Sequence, residues 1–284
     1  MIDTHAHLLT GDVAAYPPSP PGGELKPGEL DDPMTVERLL TEMDANGVEK
    51  AVLVQRGSVY GFDSSYVCDS AARQPQRLSA VCSIDATQPD CGDTVRSWIN
   101  ERGAAGIRLM ELVKGADISW LDGPHARAAW EEAAALDAPV AVHFFPWNRA
   151  EGLTRLAGIL RDVTGVQVVI DHFAAIKSDA GPPDHGVDAL LEQVAAFDRA
   201  TIKFTTIPLG RLDAAGVDYR PVVRRVADLF GAGRMMWGSD ITQSPGTYED
   251  MVDLGRQAVE QFSTVEQEQI LAGTARRLYG KGWN

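Results

Sequence analysis

Eight short apolar runs, each followed by a polar turn and a helical pattern, constrain this chain more than any other feature. They read as strands at Met1–His7, Lys50–Gln55, Leu78–Ile84, Ala105–Met110, Pro139–Phe145, Val166–His172, Ala200–Thr206 and Arg234–Ile241. Stretches such as AVLV, VAV and VQVVI are apolar at consecutive positions, as parallel strands covered on both faces require. Between them, Met34–Asn46 places Val36, Leu39, Leu40 and Met43 on one stripe, with Gly47 as the C-cap. Further helices are predicted at Ser64–Gln74, Asp93–Arg102, Pro124–Leu136, Arg149–Val163, Val187–Phe197, Tyr219–Phe230 and Tyr248–Phe262. A terminal helix, Val265–Leu278, is expected to pack on the outside. Strict alternation repeated through the chain implies right-handed βαβ units closing into an α/β fold, a (β/α)₈ TIM barrel. A length of 284 residues suits one such barrel, so a single domain over residues 1–284 is expected.

One segment breaks the rhythm. Asp12–Pro33 holds Pro17, Pro18, Pro20, Pro21, Pro27 and Pro33 with three glycines, which excludes regular structure. Because it follows the first strand, it belongs on the catalytic face, where a loop this long reads as a lid or binding loop.

Polar residues that terminate apolar strands are where barrel enzymes keep their chemistry. His5-Ala6-His7 ends the first strand, and alternate strand residues project to one face, so both imidazoles point together. Two neutral imidazoles a few ångströms apart suit Zn²⁺, with Mn²⁺ the alternative. His143 lies near the end of strand 5 in PVAVHFF, His172 ends strand 6 in VVIDHF, and Asp240 ends strand 8 in MMWGSD. Four histidines and an aspartate at strand ends are hard to explain as separately satisfied core residues. His125 and His185 fall at helix starts and read as surface residues.

The ordered motifs IDTHAH, SSYVCDSAARQPQRLSAVCSID, GAAGIRLM, VAVHFF, VIDHF, MMWGSD and ILAGTARRLYG cover nearly the whole chain. In them the chain resembles the amidohydrolase superfamily, in its amidohydrolase-2 branch. That branch includes aminocarboxymuconate-semialdehyde decarboxylase on one side and the pyrone-dicarboxylate and sugar lactonases on the other. The resemblance implies that His5, His7, His143 and Asp240 surround one divalent metal ion. It implies that His172 polarises the substrate carbonyl or completes the metal site, and that Asp240 is the general base. Strand 4 carries Arg108 where binuclear relatives have a bridging carboxylated lysine, so one ion is expected, with only Glu111 nearby as a further oxygen ligand. Ile241-Thr242 stands where the lactonases often have Trp-Pro.

Cationic residues also end strands: Arg56 after strand 2, Arg108 on strand 4 and Lys203 on strand 7. With 40 acidic against 26 basic residues and a net charge of −14, cations gathered at the barrel mouth imply a small anionic organic substrate. The alternative is that they pair with buried carboxylates such as Asp3, Asp85 or Asp171. Trp147, in the loop after strand 5, is the aromatic residue best placed to touch a ligand; Phe144 and Phe145 serve equally well as core.

The same acidity repels phosphate backbones and anionic lipid, so neither nucleic acid nor membrane is an expected partner. Cys68, Cys82 and Cys91 form no CxxC pair and suit a reducing compartment. The opening MIDTHAHLL has no basic stretch ahead of an apolar one, so no leader peptide and a cytoplasmic location are expected. A homo-oligomer is compatible with this composition. The resulting expectation is a metal-dependent hydrolase of a small carboxylate-bearing lactone, ester or amide, acting through activated water with Asp240 as base. The alternatives are a metal-dependent, non-oxidative decarboxylase of an aromatic or muconate-like acid, and a barrel that only binds its ligand.

Overall fold

A computed structural model describes residues 1–177 and 180–283. Eight parallel strands pair in chain order: β1 (Ile2–Ala6), β2 (Lys50–Val54), β3 (Leu78–Ser83), β4 (Gly106–Met110), β5 (Val140–His143), β6 (Val168–Ile170), β7 (Ala200–Thr205) and β8 (Met235–Gly238). β8 returns to β1 through an Ala6–Ile241 bridge, and the Asp240 N–H donates to the His5 carbonyl at 2.8 Å. The expected (β/α)₈ barrel is therefore present, its strands trimmed at their ends.

Period-two alternation divides the strands between two cores. Ala51, Leu53, Ala80, Ile107, Val142, Ile170, Phe204 and Trp237 face the surrounding helices. Ile2, Val52, Val54, Val81, Ala141, Val169 and Met236 fill the lower barrel. In β1 the pairing register shifts between Asp3 and Ala6. Such a bulge re-aims the residues that follow it. Here His5 shares the interior with Ile2 despite their odd spacing.

The helices form where apolar stripes meet caps. Val36–Ala45 buries Val36, Leu39 and Met43 and starts with the Thr35 side chain accepting from the Arg38 N–H. Tyr248–Val259 starts with a reciprocal capping box between Thr247 and Asp250. Two expectations change. The terminal segment, Thr264–Glu268 and Thr274–Tyr279 joined by a π-turn, does not simply lie outside. Its Ala272, Ala275 and Tyr279, with Trp283, join the inner cluster, because small Val and Ala side chains leave space at the barrel floor. The second change is a helix at Thr206–Ala214 straight after β7. Thr206 and Ile207 prolong the β-branched run, and Pro208 and Gly210 mask the helical period.

The Pro-rich segment follows β1 as expected and contains no helix or strand. It is anchored rather than loose. Leu25 and Leu30 pack on Leu9, Val59 and Tyr60, the Ser19 N–H donates to the Val59 carbonyl, and the Tyr16 hydroxyl donates to Asp69.

Candidate active site

The site is built upward from a charged floor. Arg108 on β4, Asp171 just after β6 and Lys203 on β7 all point inward. Asp171 Oδ2 accepts from Arg108 Nε at 2.8 Å, and its Oδ1 lies 3.1 Å from Lys203 Nζ and 3.5 Å from His5 Nδ1. Burial alone would raise the Asp171 carboxyl, but Lys203 and Arg108 outweigh it and hold the group well below the usual range. Arg108 also donates from Nη2 to His143 Nδ1 at 3.0 Å. Since that nitrogen accepts, the proton of neutral His143 sits on Nε2. Burial, followed by the Arg108 charge, pushes His143 down to about 3, so it is neutral.

Above the floor, three donor atoms converge. His7 Nδ1 lies 2.7 Å from the Val54 carbonyl, and a carbonyl only accepts, so Nδ1 carries the proton. Its Nε2 lone pair then faces Asp240 Oδ1 at 3.2 Å. Two acceptors at that distance require a proton or a cation between them. Burial pushes both His5 and His7 below the usual histidine range, which disfavours the imidazolium solution. His5 Nε2 lies 3.8 Å from the same carboxylate oxygen and is buried with no hydrogen-bond partner among the described residues. Ligand atoms of His5, His7 and Asp240 lie within 4.8 Å of one another. Two neutral imidazoles and a carboxylate fit a divalent ion that keeps open positions. His143 stands in the same cavity but outside this three-donor group.

The backbone around these groups is held tightly. Asp3 Oδ1 accepts from the His5 and Ser239 N–H groups, and Oδ2 accepts from the Ser239 and Tyr248 hydroxyls. A Cβ at Gly238 would come within 2.5 Å of His5 Cβ, so only glycine lets β8 approach β1 here. Asp240 takes φ of 56°, and His172, Phe173, Ala174 and Ala175 form a left-handed turn with φ of 50–53°. Left-handed backbone costs a non-glycine residue about 1–2 kcal/mol. His172 Nδ1 lies 2.7 Å from Thr205 Oγ1 and 3.7 Å from Asp240 Oδ2.

These groups open into a cavity of about 560 Å³, a normal size for a small-molecule site. Arg56, Arg108, Lys177 and Arg211 are its cationic lining. Arg56 is pinned at one nitrogen: Nη2 bonds Glu29 of the Pro-rich segment at 2.6 Å, while Nε and Nη1 are buried without partners among the described residues. Lys203 belongs to the floor but does not line the cavity. Trp147 stands at the rim, stacked on the cavity-lining Phe145 with centroids 4.5 Å apart, while its Nε1 donates to Glu111.

Comparison with known proteins assigns the family. The amidohydrolase family model matches residues 2–281. The chain belongs to the amidohydrolase family. It is 29% identical over 213 residues to L-fucono-1,5-lactonase of Burkholderia ambifaria, covering 73% of this chain and 69% of the relative. It is 28% identical over 246 residues to D-galactarolactone isomerase of Agrobacterium fabrum, covering 84% and 75%. Among solved structures, an amidohydrolase from Burkholderia multivorans with bound zinc superposes with a TM-score of 0.77 at 21% identity, over 98% of each chain. This protein is thus an amidohydrolase enzyme of the branch that the motifs indicated.

Several residues of this amidohydrolase escaped sequence reasoning. Asp171 was visible in VIDHF only as a partner for a cation, not as the hub of the floor. Arg211 lies on the unexpected helix after β7, with no partner among the described residues. Nothing in the sequence marks Thr205, which meets His172, or Arg149, which bonds the Ala174 carbonyl, because both contacts join distant segments. Among the described residues, no helix is long and apolar enough to cross a membrane.

Proposed function

We infer that the enzyme hydrolyses the ring ester of a small lactone that also carries a carboxylate, with residues 1–284 as one catalytic domain. Open esters and amides fall in the same chemical class. The observation that carries this reading is Asp240 Oδ2, buried in the cavity wall beside the three-donor group with no hydrogen-bond partner among the described residues. An unpaired carboxylate oxygen there is placed to accept a proton.

His5, His7 and Asp240 would hold one divalent cation, Zn²⁺ being the simplest match to two imidazoles and a carboxylate. When bound, such an ion supplies Lewis acidity and makes a neighbouring water more acidic. Asp240 then takes the proton of the water that attacks the lactone carbonyl. The Nε2–H of His143 and the imidazole of His172 face the oxygen on which charge develops. As the ring C–O bond breaks, Asp240 returns the proton to the leaving alkoxide, and the product is a hydroxy acid. Arg211 and Lys177 at the cavity wall attract the substrate's carboxylate, with Arg56 available once Glu29 is displaced. Phe145, backed by Trp147, offers a flat face to the ring.

The lactone chemistry of the two curated relatives supports this choice of bond. The test is incubation with L-fucono-1,5-lactone, D-galactarolactone and 2-pyrone-4,6-dicarboxylate in H₂¹⁸O. Hydrolysis puts one ¹⁸O into the new carboxylate and releases acid. Release of CO₂ would assign a decarboxylase instead, and a rearranged lactone without ¹⁸O would assign an isomerase. A purified protein that binds these compounds and changes none of them would leave a binding barrel.

A further inference from the structure

We propose that Arg149 is a positioning residue that aims His172 into the cavity, acting through the carbonyl of Ala174 and braced by Asp188. Only its purpose rests on the reading of the site above; the clamp is structural and can be tested alone.

The sequence HFAA contains no glycine, yet all four residues adopt left-handed backbone. Internal bonds are few: the Ala174 N–H donates to Asp171 and the Ile176 N–H donates to Phe173. Runs of this kind persist only where surrounding structure over-determines them. Phe173 supplies part of that constraint, being fully buried and stacked on Phe204 at 5.6 Å. Arg149 supplies the rest from another element, at the start of the helix Arg149–Asp162. Its Nε donates to the Ala174 carbonyl at 2.8 Å. Among the described residues, this is the one side-chain hydrogen bond made to the backbone of the turn.

The guanidinium cannot swing away. Nη1 and Nη2 grip Asp188 in a two-pronged pair at 2.6 and 3.1 Å, and Asp188 in turn caps the helix Ala189–Ala195. Arg149 itself is buried, with 8% of its surface exposed. The turn sets the direction of the His172 Cα–Cβ bond, and Thr205 fixes the rotation of the ring through Nδ1. Release of the turn toward right-handed backbone would swing the imidazole off the cavity. Asp188, though remote from the cavity, is thus part of the frame for a group that faces the substrate.

Two thermodynamic cycles test the assignment. In the first, Ala175→Gly should raise the melting temperature of the otherwise native enzyme, because glycine accepts positive φ without strain. That gain should shrink markedly beside Arg149→Met, where only the Phe173 contact still holds the turn left-handed. An equal gain with and without Arg149 would overturn the clamp. In the second, hydrolysis of D-galactarolactone, which keeps a free carboxylate, reads the function. Arg149→Met should lower kcat by about 10- to 100-fold, as small misplacements of a reacting group do, with KM and zinc content unchanged. Arg149→Lys should recover part of the loss. Beside His172→Gln, the same Arg149→Met change should cost less than about twofold, because the effect runs through one residue. Additive losses would show that Arg149 does not act through His172. If the native enzyme opens no lactone, the proposed reaction fails while the melting cycle still decides the clamp.

Discussion

His7 Nε2 and Asp240 Oδ1 face each other across 3.2 Å with no proton that the Val54 carbonyl leaves available to share. The pair is a gap shaped for a cation. Protein purified without chelator should carry about one equivalent of zinc or another divalent metal per chain, the number that two imidazoles and one carboxylate hold. His7→Ala should empty the site and abolish activity together, as elemental analysis alongside assay would show. Full activity in metal-stripped His7→Ala would remove the ion from the reaction.

Asp240→Asn keeps the shape of the side chain and one oxygen to direct at the cation, but it cannot act as a base. Turnover should fall by about 10²–10⁴-fold, the usual contribution of a general base, with folding unchanged by circular dichroism. Wild-type rates in this variant would sink the mechanism.

Arg108 is tied to Asp171 at 2.8 Å, with the two groups almost wholly buried. Removing one partner from a buried pair is costly, so Arg108→Met should lower stability by about 3–5 kcal/mol in urea unfolding. Lys203 remains beside Asp171 and favours the lower end of that range. A change near zero, with only KM raised, would instead make Arg108 a substrate contact.

Acid should weaken the metal-stripped fold early. His143 is pushed down to about 3, chiefly by burial, and burial also lowers His5, His7 and His172. The unfolded chain takes up these protons near pH 6.5, whereas the folded one does not. Stability therefore falls as pH drops below about 6.5, by up to about 1.4 kcal/mol per pH unit for each histidine. Asp171 does not mask the slope: its folded value lies well below 3.8, so its contribution is constant throughout that window. Urea midpoints at pH 7.5, 6 and 5 read the slope directly, and His143→Asn should flatten it. A midpoint that does not move would refute the account.

Glu29 links the Pro-rich segment to the cavity wall through Arg56. Glu29→Gln should leave the barrel intact while exposing residues 11–33 to limited proteolysis, a change detected by mass spectrometry of the first cleavage products. Unchanged cleavage would mean that the apolar contacts of Leu25 and Leu30 hold the segment unaided.

The barrel was legible because its signal is periodic and local. Val52, Val54, Val140 and Val168 announce buried strands with no knowledge of their partners. The histidines and Asp240 were legible because strand ends have a fixed meaning in this architecture. What stayed hidden depends on distance. Whether Arg108 met a substrate or Asp171 could not be read from residues 63 positions apart. The left-handed turn at His172 lay hidden for the opposite reason. HFAA obeys no local rule for positive φ, and its constraints, Phe204 against Phe173 and Arg149 on the Ala174 carbonyl, come from other elements. The Thr206–Ala214 helix was lost to Pro208 and Gly210, local signs that tertiary packing overrode.

The Asp3 clip joins the first strand to the last across 236 positions of chain. His5 and His7 belong to the first strand, and Asp240 follows the last one, more than 230 residues later. No partial ring therefore brings the three together, and a nascent chain can sequester no ion in this arrangement until β8 meets β1. Loading the ion should then act as a rivet on the seam, its binding free energy added to that of ring closure.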